Sequence, residues 1–435
     1  MAAAALDLAP AIVTGDILGV RFPTSIEALL ECGPAFLTDA FHATGTLPHD
    51  NRVVEIVDSR EVVLGGMGRK LALTVTYARP EPGLHTALFI KFQRDFDDPL
   101  RAVFAPWMAS EIRFALLSRQ PDFPITVPKC YFADFHAESL SGLLITEQIG
   151  YGSNGIEPCP TKGADYELAD PLPYYRAITR AMARLAAHHR MGGFGDDIDR
   201  EFPFVGEQVP ALPVEALRDK LAEVRGFARA YPQLFCDGLD DRAFLDSFSE
   251  DALLVPALAP ALIGFLAQQS DCIGLCHPNL NLDNAWFWTN ADGLQVGLLD
   301  WGNVGQMSFA HAVIGMICTA ETGFIREQLA GLIRLFVDEF ASHAGQRLDP
   351  ARLALLINLT LPLLAVPWIV DIPALIERLV PDLASVKDRF DLRIKDEIVA
   401  RNQLQGLMTT LTLWREGDIG GTLRALAAGK PIESL

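Results

Sequence analysis

The chain has 435 residues, half of them hydrophobic and 21 % charged. That length sets a prior of two or three domains, and the mix excludes a disordered, collagen-like or coiled-coil protein. With 55 acids against 36 bases the formal charge is −19, which opposes attraction to phosphate backbones and anionic lipid, so nucleic acid is not expected as a partner.

No Lys or Arg precedes the apolar residues of Met1 to Pro10, so no secretory signal is expected there. The apolar run Leu353 to Val370 contains Asn358, Pro362 and Pro367 and then meets Asp371. A span needs about 20 apolar residues, so the run is expected to be a broken, buried core helix, with no membrane association. Of the seven cysteines, Cys272 and Cys276 stand four apart with no second pair to complete a metal site. Reduced structural cysteines in a cytoplasmic protein are the expectation.

In chain order, Thr24-Ser25-Ile26-Glu27 has capping-box spacing ahead of Ile26, Leu29, Leu30, Phe36 and Leu37, which predicts a first helix. From Val53 the pattern turns to short β-rich runs, Val53 to Val57, Glu61 to Leu64, Leu71 to Tyr77 and Thr86 to Phe92. Gly, Pro and charge separate them, predicting an antiparallel meander of three to five strands. A helix around Trp107 to Arg119 and strands at Lys129 to Phe132 and Gly142 to Glu147 complete this section. Ser153 to Ala169 reads as a boundary loop, and Pro173 opens a helix that runs to Arg190 and is ended by Gly192-Gly193. Phe324, Leu332, Phe336 and Phe340 recur at helical spacing as core. Within this helical half, Ala285 to Trp288 and Leu294 to Leu299 are strand-like runs around Thr289-Asn290-Ala291-Asp292-Gly293, which predicts a β-hairpin with an Asp-Gly turn.

The feet of that hairpin are polar. His277-Pro278-Asn279-Leu280-Asn281-Leu282-Asp283-Asn284 precedes it and Asp300-Trp301-Gly302 follows. Asn284 and Asp300 are hard oxygen donors of the kind Mg²⁺ takes; solvated turn residues are the other reading. At these residues the sequence resembles the aminoglycoside phosphotransferase and choline kinase group of kinase-like enzymes, and within it the ecdysteroid-kinase-like branch. That group places His-x-Asp-x-x-x-x-Asn before the hairpin and Asp-Trp or Asp-Phe-Gly after it; here Asn279 stands at the aspartate position.

The resemblance implies further parts upstream, in a set order. Gly65-Gly66-Met67-Gly68 lies between two β runs, where glycines let backbone N–H groups approach phosphates; alone it also reads as a β-turn. Lys91 sits inside the apolar strand Phe89-Ile90-Lys91-Phe92 and needs an anion, because burying an unpaired ammonium is costly. Glu111, in the predicted helix twenty residues on, matches the group's partner of that lysine, or else is a surface helix carboxylate. Leu143 to Ile149 matches the inter-lobe linker, whose backbone at Glu147 and Ile149 bonds adenine in the group.

Three features depart from the pattern or stay open. The aspartate that Asn279 replaces accepts the proton of the substrate hydroxyl, which an amide cannot do. General-base catalysis contributes about 10²- to 10⁴-fold, so loss of the base slows such an enzyme without stopping it. Asp283 is a substitute base, an extra metal ligand or an exposed loop acid. His311 stands where the group has a bracing aspartate; His188-His189 reads as a helix end. The acidic run Asp237, Asp240, Asp241, Asp246, Glu250 and Asp251 reads as a solvated face or a cation-holding surface.

The expected architecture is α+β and protein-kinase-like: a β-rich N-terminal lobe over residues 1–150 with a leading helix, and a mostly helical C-terminal lobe over 151–435 carrying the hairpin. ATP would lie between them. The expected function is an ATP- and Mg²⁺-dependent phosphotransferase acting on a hydroxyl of a small-molecule alcohol, slow because of Asn279. The alternative is an inactive pseudokinase that binds nucleotide or a small ligand. ATP against GTP, the acceptor and the oligomeric state stay open.

Overall fold

The computed structural model describes residues 10–63, 66, 68–210 and 213–434. The chain divides into two units, Met1–Gly150 with Leu299–Val304, and Tyr151–Leu298 with Gly305–Leu435. The short segment after the hairpin thus groups with the first unit although it lies far along the sequence.

The first unit opens on an antiparallel ribbon of β1 (Ile12–Thr14) and β2 (Arg21–Pro23). The loop between them is held by Asp134, whose carboxylate accepts from the Ile17 and Leu18 amides at 3.0 and 3.1 Å. The expected leading helix is α1 (Ile26–Ala43). Its N-cap is Ser25, whose hydroxyl accepts from the Ala28 amide at 3.2 Å, while Thr24 donates to the Pro10 carbonyl at 2.6 Å. The cap therefore falls one residue later than the capping-box spacing implied.

β3 (Val53–Glu61), β4 (Lys70–Tyr77), β5 (Ala87–Phe92), helix α2 (Arg101–Leu117), β6 (Cys130–His136) and β7 (Ser141–Glu147) follow. The strands form one antiparallel sheet of five, in the order β3-β4-β5-β7-β6. The predicted runs at Val53 and Glu61 are a single strand as far as Glu61; Leu64 lies outside the described residues. Helix α2 begins at Arg101, ahead of the expected Trp107.

Strand alternation sorts the two faces. Leu88, Ile90 and Phe92 of β5 are buried in one core with Leu29, Leu37 and Phe41 of α1 and Leu143 and Ile145 of β7. On the opposite face Leu144 joins Ala105, Met108 and Ile112 of α2. Lys91 is the register partner of Leu144, so it points to the α2 side of the sheet. Three large side chains buried from one strand contribute about 1.5–3 kcal/mol each, enough to carry one lysine provided that it is paired.

The second unit is mostly helical. α3 (Leu172–Arg190) has proline in its first turn and is followed by Gly192 at φ +72°; it packs on the helix Thr322–Ala344. The helix Pro350–Ile369 keeps Pro362 and Pro367 inside it without a break, which corrects the expected interruption. An interior proline costs about 3 kcal/mol, and the buried Leu353, Leu356, Leu359, Leu361, Leu363 and Val366, at about 1.5–3 kcal/mol each, outweigh two of them. This helix is long and apolar enough to cross a membrane, and 61 % of its apolar stretch is buried.

β9 (Ala285–Asn290) and β10 (Gly293–Leu298) form the expected hairpin, but Gly293 already pairs with Asn290, so the turn is Ala291-Asp292, one residue ahead of the expected Asp-Gly pair. A second ribbon pairs β8 (Ile273–Cys276) with β11 (Gly305–Ser308); four residues a side are too few for a periodic signal. The mixed α/β class with a five-stranded antiparallel sheet agrees with the fold class expected from sequence. All seven cysteines are free of disulfides.

Candidate functional site

The charged centre of the first unit is Lys91. Its Nζ lies 2.6 Å from Glu111 Oε1 and 2.7 Å from Asp300 Oδ1. The Glu111 side chain is almost fully buried, Lys91 largely so, and Asp300 is 43 % exposed. Burial works against the Lys91 ammonium, but the two carboxylates more than compensate and hold it above its ordinary range. Burial presses Glu111 upward in the same way, with Lys91 pulling it back. The anion that Lys91 requires is thus supplied from α2, so Glu111 is not a surface carboxylate.

Asp300 is presented by a segment fixed to α2. Trp301 stacks on Phe114 with ring centroids 3.8 Å apart, and the Ser110 hydroxyl donates to the Val304 carbonyl at 2.6 Å. Asp300 itself adopts φ +63°, a left-handed conformation that aspartate and asparagine tolerate better than most residues. Of the glycines expected to meet phosphate, Gly65 lies outside the described residues. The Gly66 carbonyl accepts from Arg94 Nη2. Gly68 has φ +141°, and a Cβ there would stand 2.1 Å from the Phe92 carbonyl oxygen, so only glycine fits where this turn crosses the end of β5.

The second unit carries the loop His277 to Asn284 between β8 and β9. Buried His277 accepts the Asn279 amide N–H on Nδ1 at 3.0 Å. Asn284 Nδ2 donates to the Asn279 carbonyl at 2.7 Å, and Asn281 Nδ2 donates to Asn279 Oδ1 at 2.8 Å. From the helix Phe309–Ile317, Gly315 packs so closely that a Cβ would lie 1.8 Å from the Pro278 carbonyl oxygen. Asp283 is not an exposed loop acid: Lys162 Nζ lies 3.0 Å from its Oδ2 and its side chain is 13 % exposed. Nothing in the spacing announces Lys162, which lies 121 residues away in sequence.

Glu147 closes β7 with its amide on the Lys129 carbonyl at 2.9 Å and its carbonyl accepting from Thr146 Oγ1 at 3.1 Å. Ile149, half-buried, follows beyond the strand. His311 pairs with the buried Glu207 at 2.9 Å, a partner that sequence reasoning missed. His188 packs edge-on against Phe194, as a structural helix end. In the acidic run, Asp237 bonds Thr322 and Arg326, Asp241 caps a helix, Asp246 faces Arg225 and buried Asp251 takes Arg424. Those four carboxylates are engaged within the protein.

Asn284 and Asp300 each carry an oxygen of the kind a hard cation takes. Within its own unit Asn284 spends its Nδ2 on the loop, and in the other Asp300 meets Lys91 through Oδ1. Among the described residues no group of three His, Cys, Asp or Glu converges to hold a metal alone.

No protein-family model and no curated protein matches the chain. Among solved structures it is similar to a microcompartment-associated aminopropanol kinase, at 15 % identity and TM-score 0.43, over 86 % of this chain and 94 % of that one. It is also similar to an ethanolamine kinase from Plasmodium vivax, at 11 % and 0.40 over 80 % of each chain. A third is macrolide 2′-phosphotransferase type I, at 17 % and 0.37 over 72 % of this chain and 85 % of that one.

Proposed function

We propose that the protein is a small-molecule phosphotransferase that uses a Mg-nucleotide, ATP in the first instance, to phosphorylate an alcohol hydroxyl inside the cell. One observation carries the reading: the strand lysine Lys91 is gripped at 2.6 and 2.7 Å by the helix glutamate Glu111 and by Asp300. Phosphoryl transfer depends mostly on positioning and charge neutralisation, and this trio supplies both. In the proposed site Glu111 orients Lys91, Lys91 holds nucleotide phosphates, and the backbone at Gly66 and Gly68 approaches them. Glu147 and Ile149 bind the base; Asn284 and Asp300 are the protein ligands of Mg²⁺. The bound cation would neutralise charge on the transferred group.

Asn279 would orient the acceptor hydroxyl without deprotonating it. Asp283 is the nearest carboxylate in the loop and would be the substitute base, its charge balanced by Lys162. The acceptor is proposed to be a small apolar alcohol, as in the ecdysteroid-kinase-like branch, in keeping with the Phe, Leu and Trp content of the second unit.

Calorimetric titration of the protein with a non-hydrolysable ATP analogue, with and without Mg²⁺, followed by a turnover assay across a panel of alcohols, tests the reading. Mg-dependent binding with turnover is expected, and Lys91→Met should weaken binding by more than about tenfold. Binding without turnover would assign a pseudokinase. Absence of binding would overturn the proposal.

A further inference from the structure

Immediately after Gly68-Arg69 the chain enters β4 at Lys70, and the register of the sheet pairs Lys70 directly with Lys91. Directly opposed residues of an antiparallel pair project to the same face, so Lys70 shares the α2 side of the sheet with Lys91. Lys70, Lys91, Glu111 and Gly68 line one cleft. Like charges placed opposite each other destabilise a sheet, and Lys70 is half-buried, where an ammonium is costlier than in water. A β-branched residue there would serve the sheet better.

We infer that Lys70 is a second phosphate-gripping residue of the nucleotide site, acting with Lys91 from the neighbouring strand. The inference rests on the phosphotransferase reading and goes beyond it, since that reading gives the phosphates one lysine. The charge count supports it. Lys70 and Lys91 carry two positive charges, and Glu111 and Asp300, which both attract Lys70, carry two negative ones. Were Asp300 to hold a cation, Lys70 and Lys91 would share Glu111, and a polyphosphate would balance the second ammonium. Arg69, which lines the same cleft, pairs with Glu27 and Glu61, and the Arg94 guanidinium bonds the Gly66 carbonyl and lies 2.5 Å from Asp98. Burial and the Lys91 charge both press the Lys70 ammonium below its ordinary range, which an anionic ligand would reverse.

The test compares the parent chain with Lys70→Met and Lys70→Arg, using whichever of Mg-ATP and Mg-GTP the parent binds more tightly, the corresponding diphosphate and the bare nucleoside. Lys70→Met is expected to weaken the tri- and diphosphate by about ten- to a hundredfold, leave the nucleoside unchanged and keep the parent's melting temperature or exceed it. Lys70→Arg should recover most of the loss. If Lys70→Met binds the triphosphate within about threefold of the parent, or loses nucleoside and nucleotide affinity alike, Lys70 is not a phosphate residue. A parent chain that binds neither nucleotide overturns the phosphotransferase reading, and this inference with it. A parent that binds while Lys70→Met is unaffected overturns this inference alone.

Discussion

Asn281 donates from Nδ2 to Asn279 Oδ1 at 2.8 Å, and Cys318 Sγ–H donates in turn to Asn281 Oδ1 at 3.1 Å. The chain of donors fixes the amide of the exposed Asn279 with its oxygen engaged and its NH₂ group available. At the position where the resembling group has a base, this protein therefore presents a hydrogen-bond donor.

Asn279→Asp is accordingly expected to leave the loop in place, because Asn281 donates as readily to a carboxylate. The second carboxylate oxygen would be free to accept a proton. Mg-dependent nucleotide turnover should rise by about 10²-fold or more at unchanged nucleotide affinity. A rise in affinity without a rise in turnover would mean that the added charge altered cation binding instead.

Gly315→Ala tests the clamp on the loop. In a helix interior the exchange would ordinarily stabilise by up to about 1 kcal/mol, but here the new methyl would stand 1.8 Å from the Pro278 carbonyl oxygen. Overpacking of this kind costs about 1–3 kcal/mol, so the melting temperature should fall and turnover with it. A variant at least as stable as the parent would show that the helix and loop separate freely.

Asp300→Asn removes the charge while preserving the tolerance of φ +63° that an alanine would lack. Lys91 keeps Glu111 as its partner. Nucleotide affinity measured with and without Mg²⁺ should then coincide, and an enhancement by Mg²⁺ equal to the parent's would remove Asp300 from the cation site.

Asp165 gives the second unit a pH dependence. Burial raises its carboxyl from 3.8 to about 7, against the hydrogen bond donated by Tyr175. Because the folded chain holds this proton more tightly than the unfolded chain, the stability contribution is full below about pH 4, falls as the pH rises to about 7 and is level beyond, a loss of about 4 kcal/mol. Asp165→Asn should remove that slope. Urea melts at pH 5 and pH 8 should show the variant gaining on the parent at the higher pH, and parallel curves would place the proton elsewhere.

Much of the molecule is local in origin and was legible in the chain. Pro173 opens a helix, a hairpin turns within a residue of the expected Asp292-Gly293, and Lys91 sits between two core residues of a period-two strand, because each depends on neighbours within a few positions. The order of Gly68, Lys91, Glu111, Asn284 and Asp300 likewise carries the resemblance on which the proposed site rests. What only the tertiary structure decided are the partners. Lys91 meets Asp300 across 209 positions, Asp283 meets Lys162 across 121, and His311 meets Glu207 across 104. Lys70 faces Lys91 through strand register. Hydrophobic periodicity states which way a side chain points but not what waits there, since a distant partner is brought up by the path of the backbone and by packing of faces whose residues carry no mark of one another.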